Sequence, residues 1–124
     1  MTFDWTKYLN LAEELVKIDR EENYRSAISR AYYAAYNLSE SFLEARCPGR
    51  YQRSKGLSAH RITIKELYGI PEKEIKQAAK KLGQIFADRK NADYEECIII
   101  QKPTAEASII RARRILETFN NWKP

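Results

Sequence analysis

Apolar residues recur along this chain with the spacing of helices, most clearly in its second segment. Small residues at 27, 31, 34 and 35 would let a neighbouring helix approach closely. From Tyr24 the apolar positions return every three or four residues over about six turns, which places them on one face of a long helix. These positions are Tyr24, Ala27, Ile28, Ala31, Tyr32, Ala35, Leu38, Phe42 and Ala45. We expect this helix to end at Pro48-Gly49.

A shorter segment from Asp4 to Asp19 shows the same periodicity. Thr2 or Asp4 could accept hydrogen bonds from the first free N–H groups of this helix. Its single apolar face is formed by Trp5, Leu9, Ala12 and Val16.

Three further helices are predicted in the second half of the chain. One runs from Ser58 to Tyr68, and Gly69 stops it. Pro71 then opens a fourth helix at its first helical position, and that helix ends near residues 89–91. Pro103-Thr104 begins the last helix.

The run Cys97-Ile98-Ile99-Ile100 is rich in β-branched residues and alone would resemble a strand. Because the sequence offers it no partner strand, we expect an extended connector, either buried over the core or exposed as a docking strip. The elements together predict an all-α fold, an up-and-down bundle of four or five helices.

Composition agrees with one domain that covers residues 1–124. The chain is 44% hydrophobic and 31% charged, which is typical of a globular protein. No apolar stretch reaches the ~18 residues that span a bilayer, and the first residues do not resemble a signal peptide. With only Cys47, Cys97 and His60 as soft ligands, we expect a reduced, cytoplasmic protein without metal or cofactor.

The distribution of charge is uneven. The formal net charge is +5, yet residues 1–44 contain eight acids and five bases. Between Ala45 and Lys65 there is no acid, and there are six bases. Such a stretch favours contact with a polyanion such as RNA, DNA or a nucleotide. A solvated basic face would give the same pattern.

Three blocks resemble the HEPN family of small prokaryotic helical proteins. The first is Tyr-Arg-Ser-Ala-Ile-Ser-Arg-Ala-Tyr-Tyr-Ala-Ala-Tyr at residues 24–36, which is similar to the family's second helix. The second is Ser-Ala-His-Arg at residues 58–61, and the third is Asp-Arg-Lys-Asn-Ala-Asp-Tyr at residues 88–94. The resemblance covers about residues 5 to 120.

This resemblance implies a helical bundle, commonly a homodimer, from toxin–antitoxin or phage-defence systems. Many family members are metal-independent ribonucleases whose site is an Arg followed closely by a His. Here no His follows Arg89, and Asn37 occupies a position in the second helix that is often His. We therefore expect a dimeric module that contacts RNA or nucleotide and whose ribonuclease site is degenerate.

Two other functions stay open. One is an active endoribonuclease that uses Arg89, with His60 or Tyr94 in the second role, since RNA cleavage needs a proton acceptor, a proton donor and a cation. The other is a non-catalytic partner of a nucleotidyltransferase antitoxin, with Tyr94 as a docking or modified residue.

Each candidate site residue also has a structural interpretation. Arg89 could clamp a phosphate or pair with Asp88, Asp93 or Glu95. Tyr94 could belong to the core or serve in packing, and His60 could be an exposed or capping residue. The tyrosines 32, 33 and 36 are expected in core and dimer packing.

The remaining cations divide into two groups. Arg25 and Arg30 are expected to form ion pairs, Arg30 with Glu22 or Glu40 across the bundle or across a dimer. The candidates for nucleic-acid binding are Arg46, Arg50, Arg53, Lys55, Arg61, Lys65 and Lys90.

Overall fold

The protein forms a bundle of five α-helices in a computed structural model that describes residues 2–46, 51, 53, 56 and 58–122. No strand occurs within those ranges, so the prediction of an all-α bundle is confirmed. The second helix is central because it packs against each of the other four. The helices are α1 (Thr6–Leu15), α2 (Glu21–Arg46), α3 (Ala59–Tyr68), α4 (Lys73–Tyr94) and α5 (Lys102–Asn121).

The predicted apolar face of α2 is buried almost along its whole length. Its alanines at 27, 31, 34 and 35 are fully buried, so neighbouring helices approach the α2 backbone closely. Only Leu38, which is half-buried, and Ala45, which is exposed, depart from the predicted face. The predicted end at Pro48-Gly49 lies outside the described residues.

The bounds of α3 and α5 agree with the sequence to within two residues. The predicted end of α1 at Asp19 is wrong, because the N–H groups of Lys17 and Ile18 bond carbonyls three residues back and α1 ends at Leu15. Asp4 accepts hydrogen bonds from the N–H of Thr6 at 3.0 Å and from its hydroxyl, as expected of a residue that caps α1. The predicted start of α4 at Pro71 is wrong, because Glu72 is still extended and the helix begins at Lys73. The predicted end is also wrong, since α4 continues to Tyr94.

Arg25 caps the end of α4 from α2. The last carbonyl groups of a helix have no partner within the helix and need one from elsewhere. The Arg25 guanidinium, from α2, donates to the carbonyls of Asn91 at 3.2 Å and Ala92 at 2.9 Å. It also donates to the carbonyls of Glu95 and Ile98, beyond the helix. One side chain thus satisfies the end of α4 and the start of the connector.

The connector between α4 and α5 combines both of the predicted interpretations. Ile100 is buried, whereas Ile99 is 77% exposed and Ile98 is also exposed. The N–H of Ile100 donates to the Glu21 carboxylate at 2.7 Å, and Glu21 also pairs with Arg25 at 3.2 Å. That backbone hydrogen bond, more than the ion pair, lowers the pKa of Glu21.

A buried carboxylate holds α3 against α2. Glu40 is only 1% exposed, and it accepts hydrogen bonds from the Tyr51 hydroxyl at 2.6 Å and the Thr63 hydroxyl at 3.4 Å. Burial, reinforced by this carboxylate, raises the pKa of Tyr51. The contact fixes the first turn of α3, which carries His60.

Arg30 does not form the predicted ion pair with Glu22 or Glu40 within the bundle. Its guanidinium carbon instead lies 5.0 Å from the centre of the Tyr8 ring, a cation–π contact between α2 and α1. The prediction is wrong because Glu40 faces α3 and bonds Tyr51 and Thr63 there.

No helix in the described ranges has the length and apolarity required to cross a bilayer.

Replacing Arg25 by Lys should destabilise the bundle although the charge is kept. An ammonium lacks the planar fork that reaches several carbonyls, so some of them would lose their partner. We expect the free energy of unfolding to fall by about 2 kcal/mol, measured by urea denaturation. Arg20→Lys, at an exposed position just before α2, is the matched control. Equal stability of the two variants would contradict the role given to Arg25.

Candidate functional site

Arg89, near the end of α4, is the centre of a polar cluster between α4 and α2. The residue is only 9% exposed. Its Nε donates to Asp93 at 2.9 Å, and its Nη2 donates to the hydroxyls of Tyr33 at 2.8 Å and Tyr94 at 3.1 Å. Asp93 also accepts a hydrogen bond from the Ser29 hydroxyl at 3.3 Å. The guanidinium is therefore held in one orientation by both helices.

The cluster keeps Arg89 charged in spite of its burial. Burial acts to lower the pKa of Arg89, but Tyr33, Tyr94 and Asp93 outweigh it, and the pKa is raised. The ion pair with Asp93 is one of the three that the sequence allowed. Within the described residues, Nη1 has no hydrogen-bond partner, so part of the cation remains available to an incoming group.

Tyr94 does not lie in the core. It is 68% exposed although its hydroxyl reaches Arg89. The interpretation of Tyr94 as a core residue is therefore wrong, because it is the last residue of α4 and its ring extends past the packed part of the helix. The guanidinium carbon of Arg89 lies 5.2 Å from the centre of the Tyr94 ring and 5.2 Å from that of Tyr33.

His60, in the first turn of α3, lies among aromatic rings. Its Nδ1 is hydrogen-bonded to the Tyr32 hydroxyl at 2.5 Å. The imidazole lies against Tyr36, with ring centres 4.6 Å apart, and it stacks on Phe86 at 5.3 Å. The interpretation of His60 as an exposed or capping residue is wrong, since it is half-buried and its ring bonds a core tyrosine. Its Nε2 is bonded by none of the described residues.

His60 and Arg89 both lie close to the rings of Tyr32 and Tyr33. The centre of the Tyr32 ring lies 5.4 Å from that of His60 and 5.9 Å from the Arg89 guanidinium carbon. Burial, and then the charge of Arg89, lower the pKa of His60, whereas Glu40 opposes them weakly. At neutral pH His60 is therefore uncharged, in the form that accepts a proton. We call Tyr33, His60, Phe86, Arg89 and Tyr94 the His60–Arg89 cluster.

Two of the predicted nucleic-acid-binding residues are neutralised by acids. Arg46 pairs with Glu72 at 3.3 Å, and Arg53 pairs with Glu44. The stretch from 45 to 65 has no acid in sequence, but neighbouring residues supply acids in space. Arg46 also lies about 20 Å along α2 from Tyr33, so it does not reach the His60–Arg89 cluster. Arg50 and Lys55 lie outside the described residues.

The other predicted cations are exposed. Arg61 and Lys65 lie one turn apart on the surface of α3. The Lys90 ammonium lies 4.8 Å from the centre of the Phe86 ring, which in turn stacks on His60. Lys90 is thus the predicted cation that borders the cluster directly.

Sequence reasoning missed the roles of Tyr33, Ser29 and Phe86. Tyr33 and Ser29 are four residues apart on α2 and face α4, where they bind Arg89 and Asp93. Their spacing is visible in the sequence, but the identity of the facing helix is not. In the described ranges no group of three metal-ligating side chains comes together.

Comparison of the chain with protein-family models, curated proteins and solved structures gave no match. The resemblance to the HEPN family therefore stays a prediction.

The single histidine gives a direct test of the electrostatics. We expect its NMR titration to show a pKa below the ordinary 6.5, because burial and Arg89 disfavour the imidazolium. The unfolded chain then binds this proton more tightly than the folded one. Its contribution to stability is consequently complete above pH ~6.5 and is lost as the pH falls through the folded pKa.

Two variants should move this pKa in opposite directions. Arg89→Gln removes a nearby cation and should raise the pKa of His60, whereas Glu40→Gln removes an acid and should lower it further. A titration midpoint that neither substitution moves would contradict the arrangement of charges around His60.

Proposed function

We propose that this chain is a HEPN-type module of prokaryotic toxin–antitoxin or defence type that binds RNA or nucleotide at the His60–Arg89 cluster without cleaving it. The observation that supports this proposal most is the position of Arg89, a fixed cation beneath the exposed ring of Tyr94. A cation next to an accessible aromatic ring suits one phosphate and one base of a single strand.

The chemistry around this position favours a nucleotide over other anions. Tyr94 offers an open ring face for stacking, and His60 and Tyr33 are partly exposed beside it. Lys90 adds an exposed positive charge at the border of the cluster. Single-strand binding commonly combines stacking rings with cations that follow the phosphates.

The hydrogen bonds of Arg89 favour binding over catalysis. The Arg89 guanidinium already donates three hydrogen bonds within the protein, one each to Asp93, Tyr33 and Tyr94. No histidine follows Arg89 on α4, where the family's ribonucleases carry theirs. Tyrosine, with an ordinary pKa of ~10, is a weak proton acceptor at neutral pH.

A second candidate function is metal-independent RNA cleavage, and one observation favours it. His60 is uncharged at neutral pH and shares Tyr32 and Tyr33 with Arg89. His60 would accept the proton of a 2′-hydroxyl, and Arg89 would stabilise the charge that develops on the phosphate.

Association with a nucleotidyltransferase antitoxin in the cytoplasm fits either function, and mass spectrometry of copurified protein would detect it.

We further propose that the module is a homodimer. Ile98 and Ile99 are both exposed in the connector, and these two neighbouring residues form an apolar strip that starts four residues after Tyr94. Burial of such a strip against a second copy would remove apolar area from water. It would also place two His60–Arg89 clusters near each other.

Tyr94→Ala should weaken binding of single-stranded RNA by roughly tenfold, as expected for the loss of one stacked base. Fluorescence anisotropy with a labelled oligonucleotide measures the affinity. Because Tyr94 is exposed, the variant should keep the wild-type fold, and circular dichroism checks this. The matched control is Tyr68→Ala, which removes an exposed tyrosine from α3. Equal affinities of both variants and the wild type would contradict the proposed binding face.

The same RNA incubated in EDTA distinguishes binding from cleavage. Intact RNA, bound by the wild type, supports the module. Cleavage that is lost in His60→Asn supports the ribonuclease instead, because Asn keeps a polar atom near the position of Nδ1 but cannot act as a base.

Light scattering should give about twice the 14.5 kDa mass of one chain. Ile99→Asp should shift the protein to the monomer, since a charge in the strip would be buried on association. Ile110→Asp, at an exposed isoleucine on α5, should leave the dimer intact. A monomeric wild type would overturn the dimer and leave the proposed binding face untouched.

A further inference from the structure

A second basic surface lies between α4 and α5, away from the His60–Arg89 cluster. It is a groove of about 410 Å³. Within the described part of the chain every side chain that lines it is a cation or an amide, and none is an acid. The lining residues are Gln77, Lys80, Lys81, Gln84, Arg111 and Arg114.

The groove arises because two acid-free stretches face each other. Residues 75–87 of α4 and residues 107–116 of α5 contain no Asp or Glu. Asp88 on α4 sets how the two helices are aligned along their length. Its carboxylate accepts a hydrogen bond from the Ser108 hydroxyl at 3.1 Å and pairs with Arg111 at 3.5 Å, both on α5. Asp88 is therefore paired with Arg111 without lining the groove itself, and the lining consists of cations and amides.

Arg113 lies between the two groove arginines in sequence but does not line the groove. Arg113 points to the other side of the helix, where it donates to Glu13 at 2.7 Å. Lys80, Lys81 and Arg114 have no ion-pair partner among the described residues. Like charges that share a concave surface repel each other, and they concentrate the positive potential in the groove. An anion that entered would remove this repulsion.

The geometry points to a ligand with a row of phosphates, and we propose that the α4–α5 groove binds two or three adjacent phosphate groups. Gln77 and Gln84 are about 10 Å apart along α4, a length that such a row can cover. Arginine bonds phosphate oxygens through its planar fork, lysine does so as a point charge, and glutamine amides can donate as well.

Such a row occurs in the polyphosphate of a nucleotide and in the backbone of a nucleic-acid strand. Both present the same oxygens at the same charge, and the groove has no aromatic ring that would select a base. The inference goes beyond the proposed function, because Arg89, Phe86 and Lys90 lie on another face of α4. It can therefore hold or fail independently of the His60–Arg89 cluster.

The test compares two double variants that lose the same charge. Lys80→Gln/Arg114→Gln removes two exposed cations from the groove, and Lys7→Gln/Arg20→Gln removes two exposed cations from elsewhere. The probes are inorganic triphosphate and a short single-stranded oligothymidylate, each titrated calorimetrically at low salt. We expect the groove variant to lose about tenfold in affinity, and the control variant to lose much less.

Binding of triphosphate that only the groove variant weakens supports the inference and identifies a nucleotide polyphosphate as sufficient. Binding of the oligonucleotide alone, with the same dependence, supports it for a nucleic-acid strand. For the strand, the slope of log affinity against log salt should also fall by about 1.4 in the groove variant. Absence of binding to either probe, or equal losses in both double variants, would overturn the inference. The loss of affinity for single-stranded RNA on Tyr94→Ala should persist in the groove variant, which separates this result from the proposed function.

Discussion

The arrangement of the candidate site depends on the need of the α4 carbonyls for hydrogen-bond partners. Arg25 donates to two of them from α2, and it thereby ties the end of α4 to α2. Ser29 and Tyr33 follow on the same face of α2 at intervals of four residues. They bond Asp93 and Arg89 in turn. A row of three polar side chains on α2 thus holds the last turns of α4.

This row has an electrostatic consequence for the site. A cation that is nine-tenths buried remains charged because two tyrosine hydroxyls and a carboxylate surround it. Its field reaches His60 and helps to keep the imidazole neutral. The pKa values of the two groups are therefore displaced in opposite directions by one packing arrangement, a feature that functional sites often share.

Much of the fold could be predicted from the sequence, because the periodicity of α2 and the Pro and Gly residues define helices locally. The start and end of α4 could not, since its end depends on a side chain 66 residues earlier in the chain. For the site, the residue types Arg89, His60 and Tyr94 were identifiable, but their surroundings were not. Tyr33 looked like a core residue, and the acids that neutralise Arg46 and Arg53 come from outside the acid-free stretch.

The interval of four residues between Arg25, Ser29 and Tyr33 also restricts how this chain can evolve. A substitution affects one of these contacts, but one residue inserted between positions 25 and 33 would rotate the two ends of the row against each other by about 100°. The two ends could then no longer face α4 together. We therefore expect relatives of this protein to vary in sequence along the outer side of α2, and to keep the number of residues between these positions unchanged.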